Sequence, residues 1–312
     1  MLTHTIAFYN LENLFDTEDD EFTNDNDFLP DSVKRWTPKR YHNKLRKLGY
    51  AISNIAKEKT NNHPAIVGFA EVENRQVMED LLKGKHLKDI PYGLVHYDSP
   101  DERGIDVAFI YDTRVFDLIV SDTYRVHIYE EDGTEDFTRD ILLVTGRLDG
   151  DLIHVIVNHW PSRHDGAELT EYKRVIASQK AGEIIDSLKA DEPEAKIIVM
   201  GDFNDDPDCK SIKNLVLSHD LYNPMEQINQ HKRGSLSHDH KWDVFDQIMI
   251  STNFFERRSG SLTFATADVF DEEFLKLFNG PYKGTPFRTY VGTKYKGGYS
   301  DHFPVYMILE KI

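Results

Sequence analysis

Short apolar runs that end in polar residues recur along this chain. The clearest lies in Lys196–Asn204, where Ile197, Ile198, Val199 and Met200 lead without a break into Gly201-Asp202-Phe203-Asn204. A run of this length, rich in β-branched residues, reads as a strand buried on both faces. Alternation then points Asp202 and Asn204 to the same side, where the strand meets solvent. A turn opened at Asp202 and continued by Asp206-Pro207 accounts for the same residues without any chemistry. Comparable strands are predicted over 4–10, ending at Asn10, over 65–70, leading to Glu71, and over 152–157, leading to Asn158-His159. Another covers 104–111 and follows Arg103. Two late strands reverse the pattern: 243–251 has Asp246 early in it, and 303–309 begins directly after Asp301-His302. A mixed sheet whose final strands run antiparallel would bring all these polar residues to one rim.

Helical spacing is rarer. Leu45, Leu48, Ile52 and Ile55 predict a helix from Pro38 to about Lys57, started at Thr37-Pro38, with Lys and Arg on its other face. A long amphipathic helix is predicted over 168–189. The acidic, Asn/Asp-rich stretch from Asp16 to Asp31 has no periodicity and reads as a solvated loop; it lacks the glycine an EF-hand loop needs. Residues 264–298, rich in Gly, Phe and Tyr, read as loops that shape a surface. No internal repeat and no long Pro/Gly/Ser linker interrupts the chain, so one domain over 1–312 is expected. Short connections with several antiparallel pairs, and only two or three good helices, predict stacked sheets flanked by helices rather than a doubly wound parallel sheet.

Composition narrows the partners. Among 312 residues, 39% are hydrophobic and 12% aromatic, enough for a sizeable core. The net charge of -17 argues against non-specific coating of nucleic acid, although metal ions and a local Arg/Lys cluster can invert the field at a site. Cys209 is the single cysteine, which excludes a disulfide framework within the chain and a thiolate metal site, and fits a reducing compartment. No run approaches the roughly 20 apolar residues of a membrane helix, and the N-terminus has neither a basic n-region nor an apolar h-region. A complete gene product of this kind is expected in the cytoplasm, and one whose leader had been trimmed is expected to be secreted. A monomer without an obligate protein partner is expected.

The rim collects Asn10, Glu71, Asn158, His159, Asp202, Asn204, Asp246, Asp301 and His302. Oxygen donors without thiolates suit Mg²⁺, Mn²⁺ or Ca²⁺ better than zinc. Mg²⁺ takes one or two protein carboxylates and leaves positions for phosphate, so Glu71 and Asp301, with Asn10 beside them, leave room for a phosphoester. Asp246 lies between apolar Phe245 and Ile248, where a carboxylate wants a partner.

Asn10, Phe69-Ala-Glu71-Val, Val157-Asn-His159-Trp-Pro, Met200-Gly-Asp202-Phe-Asn204, Asp246-Gln and Ser300-Asp301-His302-Phe-Pro together resemble the endonuclease/exonuclease/phosphatase superfamily, in its order and across residues 10–304. The resemblance implies a four-layer α/β sandwich of two mixed sheets between helices, and metal-assisted hydrolysis of a phosphoester. It also implies roles. Glu71 is the principal metal ligand, with Asn10 and Asp301 at the same or a neighbouring ion. Asp202 takes a proton from, or orients, the attacking water, and Asn204 holds a phosphate oxygen or the water. His302 pairs with Asp246, and His159 donates to phosphate or protonates the leaving oxygen; which histidine is base and which acid stays open. Arg103 and Arg163 are expected as phosphate contacts, Asn158 as a substrate contact, and Asp98 as the acid that orients the second histidine.

Other suggestive residues read more plainly. His238-Asp239-His240 reads as a polar loop, and Trp36, Trp160 and Trp242 as packing. Three functions compete: a deoxyribonuclease-like phosphodiesterase, favoured by the two histidines but disfavoured by the net charge of -17 and the lack of a clear basic stripe; a hydrolase of a small or lipid-linked phosphoester, its lipid form lacking an amphipathic membrane segment unless the 264–298 loops serve; and an inactive binding module, disfavoured because the set is complete.

Overall fold

The structure, a computed structural model, describes every residue except Met1, Phe22, His231, Lys232 and Asp239, and leaves the side chains of Asn229 and Gln230 undescribed. Two six-stranded mixed sheets form the centre. In the first, the order is Leu262–Val269, Val305–Lys311, Leu2–Leu14, Ile66–Val72, Asp106–Asp112, Tyr92–His96. In the second it is Leu221–Tyr222, Asp246–Ser251, Ile197–Asp202, Asp151–His159, Ile141–Leu148, Phe116–Tyr124. Each sheet has one parallel pair at its centre, with antiparallel strands to either side.

Alternation explains the layers. Along Ile197–Asp202, Ile197 and Val199 pack with Ala177, Ala181, Ile184 and Ile185 of the helix Glu171–Asp191, whereas Ile198 and Met200 face the other sheet. The sheets meet closely at Gly68, where an added Cβ would lie 2.6 Å from Met200 Sδ and 3.2 Å from a Val157 methyl. Helices Pro38–Asn54 and Arg75–Lys83 cover the outer face of the first sheet, which completes the four-layer sandwich. Asn74 caps the second of these helices by accepting from Val77 N at 3.0 Å.

Several sequence expectations need correcting. The region 264–298 is not all loop: Leu262–Val269 pairs with the last strand as a sheet edge. Tyr92–His96, Phe116–Tyr124 and Ile141–Leu148 are further strands whose sequences gave no clean signal. Leu118, Ile119 and Val120 are exposed on an edge strand, so burial does not impose alternation there. The Glu171–Asp191 helix is less amphipathic than expected, because Arg174, Ser178 and Gly182 share its buried side. Lys44 also lies on the buried side of its helix rather than on the charged face. His238 and His240 belong to a short hairpin, Leu236–His238 with Lys241–Asp243, and Asp239 lies outside the described residues. The segment expected to be a solvated loop buries Asp25 and Phe28. No helix among the described residues is long and apolar enough to cross a membrane.

Candidate active site

The parallel pairs deliver four rim residues from strand C-termini: Asn10, Glu71, His159 and Asp202. Their antiparallel neighbours deliver residues at strand starts. Asp202 sits in register with His159 on one side and with Asp246 on the other. From the facing sheet, Asn10 Nδ2 donates to Asp202 Oδ2 at 2.9 Å, joining the two rims. Asp301 and His302 enter just ahead of the Val305–Lys311 strand, and Ser300 Oγ donates to the Asn10 carbonyl at 2.7 Å. Seven of the residues expected at the rim therefore share one end of the sandwich.

Asp202 is buried, and its Oδ1 accepts from Asn204 N at 3.0 Å. Asn204 takes φ 50°, a tight turn that returns its amide to the Trp160 carbonyl at 2.9 Å. The turn expected over Asp202-Phe203-Asn204 thus forms, with Asp202 left at the rim. Burial, and then the charge of Asp246, push the Asp202 carboxyl up to about 6. His302 Nδ1 meets Asp246 Oδ2 at 2.6 Å, and its Nε2 lies 4.0 Å from Asp202 Oδ2 and 3.9 Å from Asp301 Oδ1. Burial opposes charge on this ring, but Asp246, then Asp202 and Asp301, outweigh it and raise its pKa well above the ordinary value. His159 goes the other way: burial, then Arg139, Arg103 and His302, hold it neutral. The Nη2 of Arg139 donates to His159 Nε2 at 2.9 Å, so in this arrangement the ring proton sits on Nδ1, which is buried without a partner.

Two expectations are not met by the placement, and a third only in part. Asp98 does not reach His159; its side chain is 87% exposed and its nearest charged neighbour is His96 Nδ1 at 3.8 Å. The carboxylate nearest His159 is Asp202, 3.9 Å from its Nε2, while Asp101 holds the neighbouring Arg139 at 2.9 Å. Asn158 is fully buried, its amide committed to the Ile156 and Met200 carbonyls and to Trp160 Nε1, so it braces strands rather than facing a ligand. Arg163 lines the cleft but is anchored by Asp205 at 2.7 Å and lies over the Phe245 ring. Arg103 fits better: half-exposed, it lies 3.9 Å from Glu71 Oε2 and contacts Asn13 Oδ1.

Sequence reasoning missed Glu12, Lys44, Arg139 and Arg288. Glu12 has a readable signal, two residues after Asn10 on the same strand; it is buried and accepts from the Thr289 and Tyr290 amides. Lys44 Nζ lies 3.6 Å from Glu12 Oε2. Burial raises Glu12 and lowers Lys44, so each group shifts towards its neutral form. Arg288 pairs with Asp301 at 2.6 Å. Burial alone would raise Asp301, but His302 and Arg288 hold its carboxyl below the ordinary range.

Glu71, Asp301, Glu12 and Asn10 place oxygen donors, the kind a hard divalent cation takes, at the edge of the first sheet, although the three carboxylates do not all come within 4.8 Å of one another. Ligand atoms of Asp202, Asp246 and His302 also lie within 4.8 Å of one another. His302 Nδ1 is already committed to Asp246, so that trio reads as an acid–base unit.

Two hollows border the centre. A cleft of about 1040 Å³ extends past Asn204 and Arg103 and is walled by Arg163, Asp165, Lys241, Asp243 and Phe245. A smaller hollow of about 200 Å³ borders Glu12, Asn13 and Asp301 and is lined by Phe28, Lys34, Arg288 and Tyr290.

Solved structures with the same fold cover nearly all of the chain. An endonuclease/exonuclease/phosphatase family protein from Bacteroides thetaiotaomicron matches with TM-score 0.60 at 18% identity, over 98% of this chain and 97% of that one. A mannosyl-6-phosphatase from the same organism matches with TM-score 0.60 at 17% identity, over 98% and 99%. D. rerio TDP2 complexed with a single-strand DNA product matches with TM-score 0.58 at 14% identity, over 99% of each chain. No curated protein matches the sequence. The model of the Endonuclease/Exonuclease/phosphatase family covers residues 5–311, and the chain therefore belongs to that family of hydrolytic phosphoesterases.

Proposed function

We propose that this protein is a divalent-metal-dependent phosphodiesterase of the nuclease type. The observation that carries the reading is a pair of hollows that both border the candidate centre, one at Asn204 and Arg103 and the other at Glu12 and Asp301. A phosphodiester carries two substituents on its phosphorus, and each hollow offers cations: Arg103, Arg163 and Lys241 in one, Lys34 and Arg288 in the other. Glu71 and Asp301, with Glu12 and the Asn10 oxygen, would hold the ion, which when bound neutralises charge on the phosphoryl oxygens.

The chain's own residues supply the rest. Asp202, fixed by Asn10 and the Asn204 amide, accepts the proton of the attacking water. His302 keeps its Nδ1 proton against Asp246 and, as the cationic ring, donates from Nε2 to a phosphoryl or leaving oxygen. His159 stays neutral behind Arg139, whose guanidinium is held by Asp101 and the Trp160 carbonyl. This division assigns the acid to His302.

A second reading, a hydrolase of a small phosphoester, is favoured by the net charge of -17 and by Asp165 and Asp243 in the larger cleft. It is the activity type that the mannosyl-6-phosphatase name gives to that similar structure. Purified protein with Mg²⁺ or Mn²⁺ should cleave plasmid DNA and bis-p-nitrophenyl phosphate, and Asp202→Ala should abolish both. Turnover of p-nitrophenyl phosphate alone would replace the first reading with the second.

A further inference from the structure

We propose a second cation site, separate from the catalytic centre, in which Asp20, Asp25 and Glu73 bind a hard divalent ion of the calcium class. One ligand oxygen from each lies within 4.8 Å of the others. Asp25 is 2% exposed, and its Oδ1 has no hydrogen-bond partner although its Oδ2 accepts from the Asp20 amide at 3.2 Å. Glu73 is also buried, and its Oε2 takes the Asp16 amide at 2.6 Å. Among the described residues no lysine, arginine or histidine pairs with Asp16, Asp20, Asp25 or Glu73. Buried carboxylates without counter-charge are costly. A buried carboxylate with one oxygen unpartnered, beside two other carboxylates, is the arrangement a cation relieves, and an all-oxygen set is what Ca²⁺ selects.

Position gives the site a purpose. Glu73 N donates to the Leu14 carbonyl at 3.2 Å, where the two central strands of the first sheet end. A cation there would staple the Asp16–Asp25 segment to both strands, just beyond Glu12 and Glu71. The inference stands apart from the nuclease reading, since it needs no phosphoester.

Thermal unfolding of chelator-stripped full-length protein, with and without millimolar Ca²⁺, tests it in three forms. Glu71→Gln weakens the catalytic ion site, so a Ca²⁺ response that survives in it comes from elsewhere. Wild type and Glu71→Gln should both melt at least about 2 °C higher with Ca²⁺. The double variant Asp20→Asn/Asp25→Asn should lose that rise, yet melt no lower than wild type in chelator, because it removes repulsion. Terbium luminescence excited through Trp36, whose indole donates to the Phe15 carbonyl at 3.0 Å, should appear in wild type and vanish in the double variant. The site is overturned if Glu71→Gln loses the whole response, or if the double variant keeps it. It is equally overturned if wild type shows no response, which would mean protons neutralise the cluster. Should the double variant fail to fold, Ca²⁺ stoichiometry on Glu71→Gln decides: one ion per chain supports the site and none overturns it.

Discussion

Asp246→Asn separates catalysis from stability at the point where the site is most tightly built. The substitution keeps the shape of a fully buried side chain but removes its charge from the 2.6 Å contact with His302 Nδ1. A charge-assisted hydrogen bond of this kind is worth about 1.5–3 kcal/mol, against roughly 0.5–1.5 for a neutral one. Losing the charged partner frees the ring and its tautomer, so kcat/KM should fall about 10- to 100-fold. Stability should move little. Asp246 Oδ1 has no partner in the folded protein, and Asp202 lies close by, so the wild-type carboxylate is already imperfectly accommodated. His302 keeps Asp202 and Asp301 within 4.0 Å, so its charge is not stranded. A change within about 1 kcal/mol is expected.

The same substitution also makes a pH prediction. Asp202 must be ionised to accept a proton, so activity is lost as pH falls through about 6, where burial and Asp246 hold its carboxyl. Without the Asp246 charge, the acid limb should move to lower pH. The assays are kcat/KM for bis-p-nitrophenyl phosphate between pH 5 and 9 and melting by circular dichroism. Activity within threefold of wild type, or an acid limb that stays or rises, refutes the reasoning about the pair. A variant that no longer folds refutes the reasoning about the unpartnered oxygen.

Three other outcomes follow from particular contacts. Gly68→Ala places a methyl 2.6 Å from Met200 Sδ between the sheets and should cost about 1–3 kcal/mol; an unchanged melting temperature would show that the interface yields freely. Arg139→Gln removes the guanidinium that joins Asp101 to His159, so the His159 ring should titrate at higher pH by nuclear magnetic resonance and kcat/KM should fall about tenfold; an unmoved titration would sink that assignment. Burial alone would raise Asp112, but Arg114 and His63 hold it down at about 2. Its folded-state pKa is depressed, so the stability it gives is present above pH ~4 and is lost as pH falls towards ~2, about 1–2 kcal/mol after screening at exposed Arg114. Acid titration of the melting temperature should lose this step in Asp112→Asn.

The sequence by itself determined the strands that are buried on both faces and the residues that close them. Ile197–Met200 can satisfy so many apolar faces only inside a layered sheet, and the polar residues that follow can sit only where that sheet ends. That made Asn10, Glu71, His159, Asp202, Asp246, Asp301 and His302 legible, together with the two stacked sheets flanked by helices. The edge strand Phe116–Tyr124 was illegible because one-sided burial leaves its pattern loose. Arg139 was missed with Ile141–Leu148, since its place at the rim follows from that strand.

Only the tertiary structure decided which charges face each other. Arg139 at His159, Arg288 at Asp301, Lys44 at Glu12 and Asp25 beside Glu73 are pairings between residues 13 to 48 positions apart. Electrostatic roles follow from distance and burial in space. That is why sequence left the two histidines interchangeable, while packing set one beside carboxylates and the other beside a guanidinium.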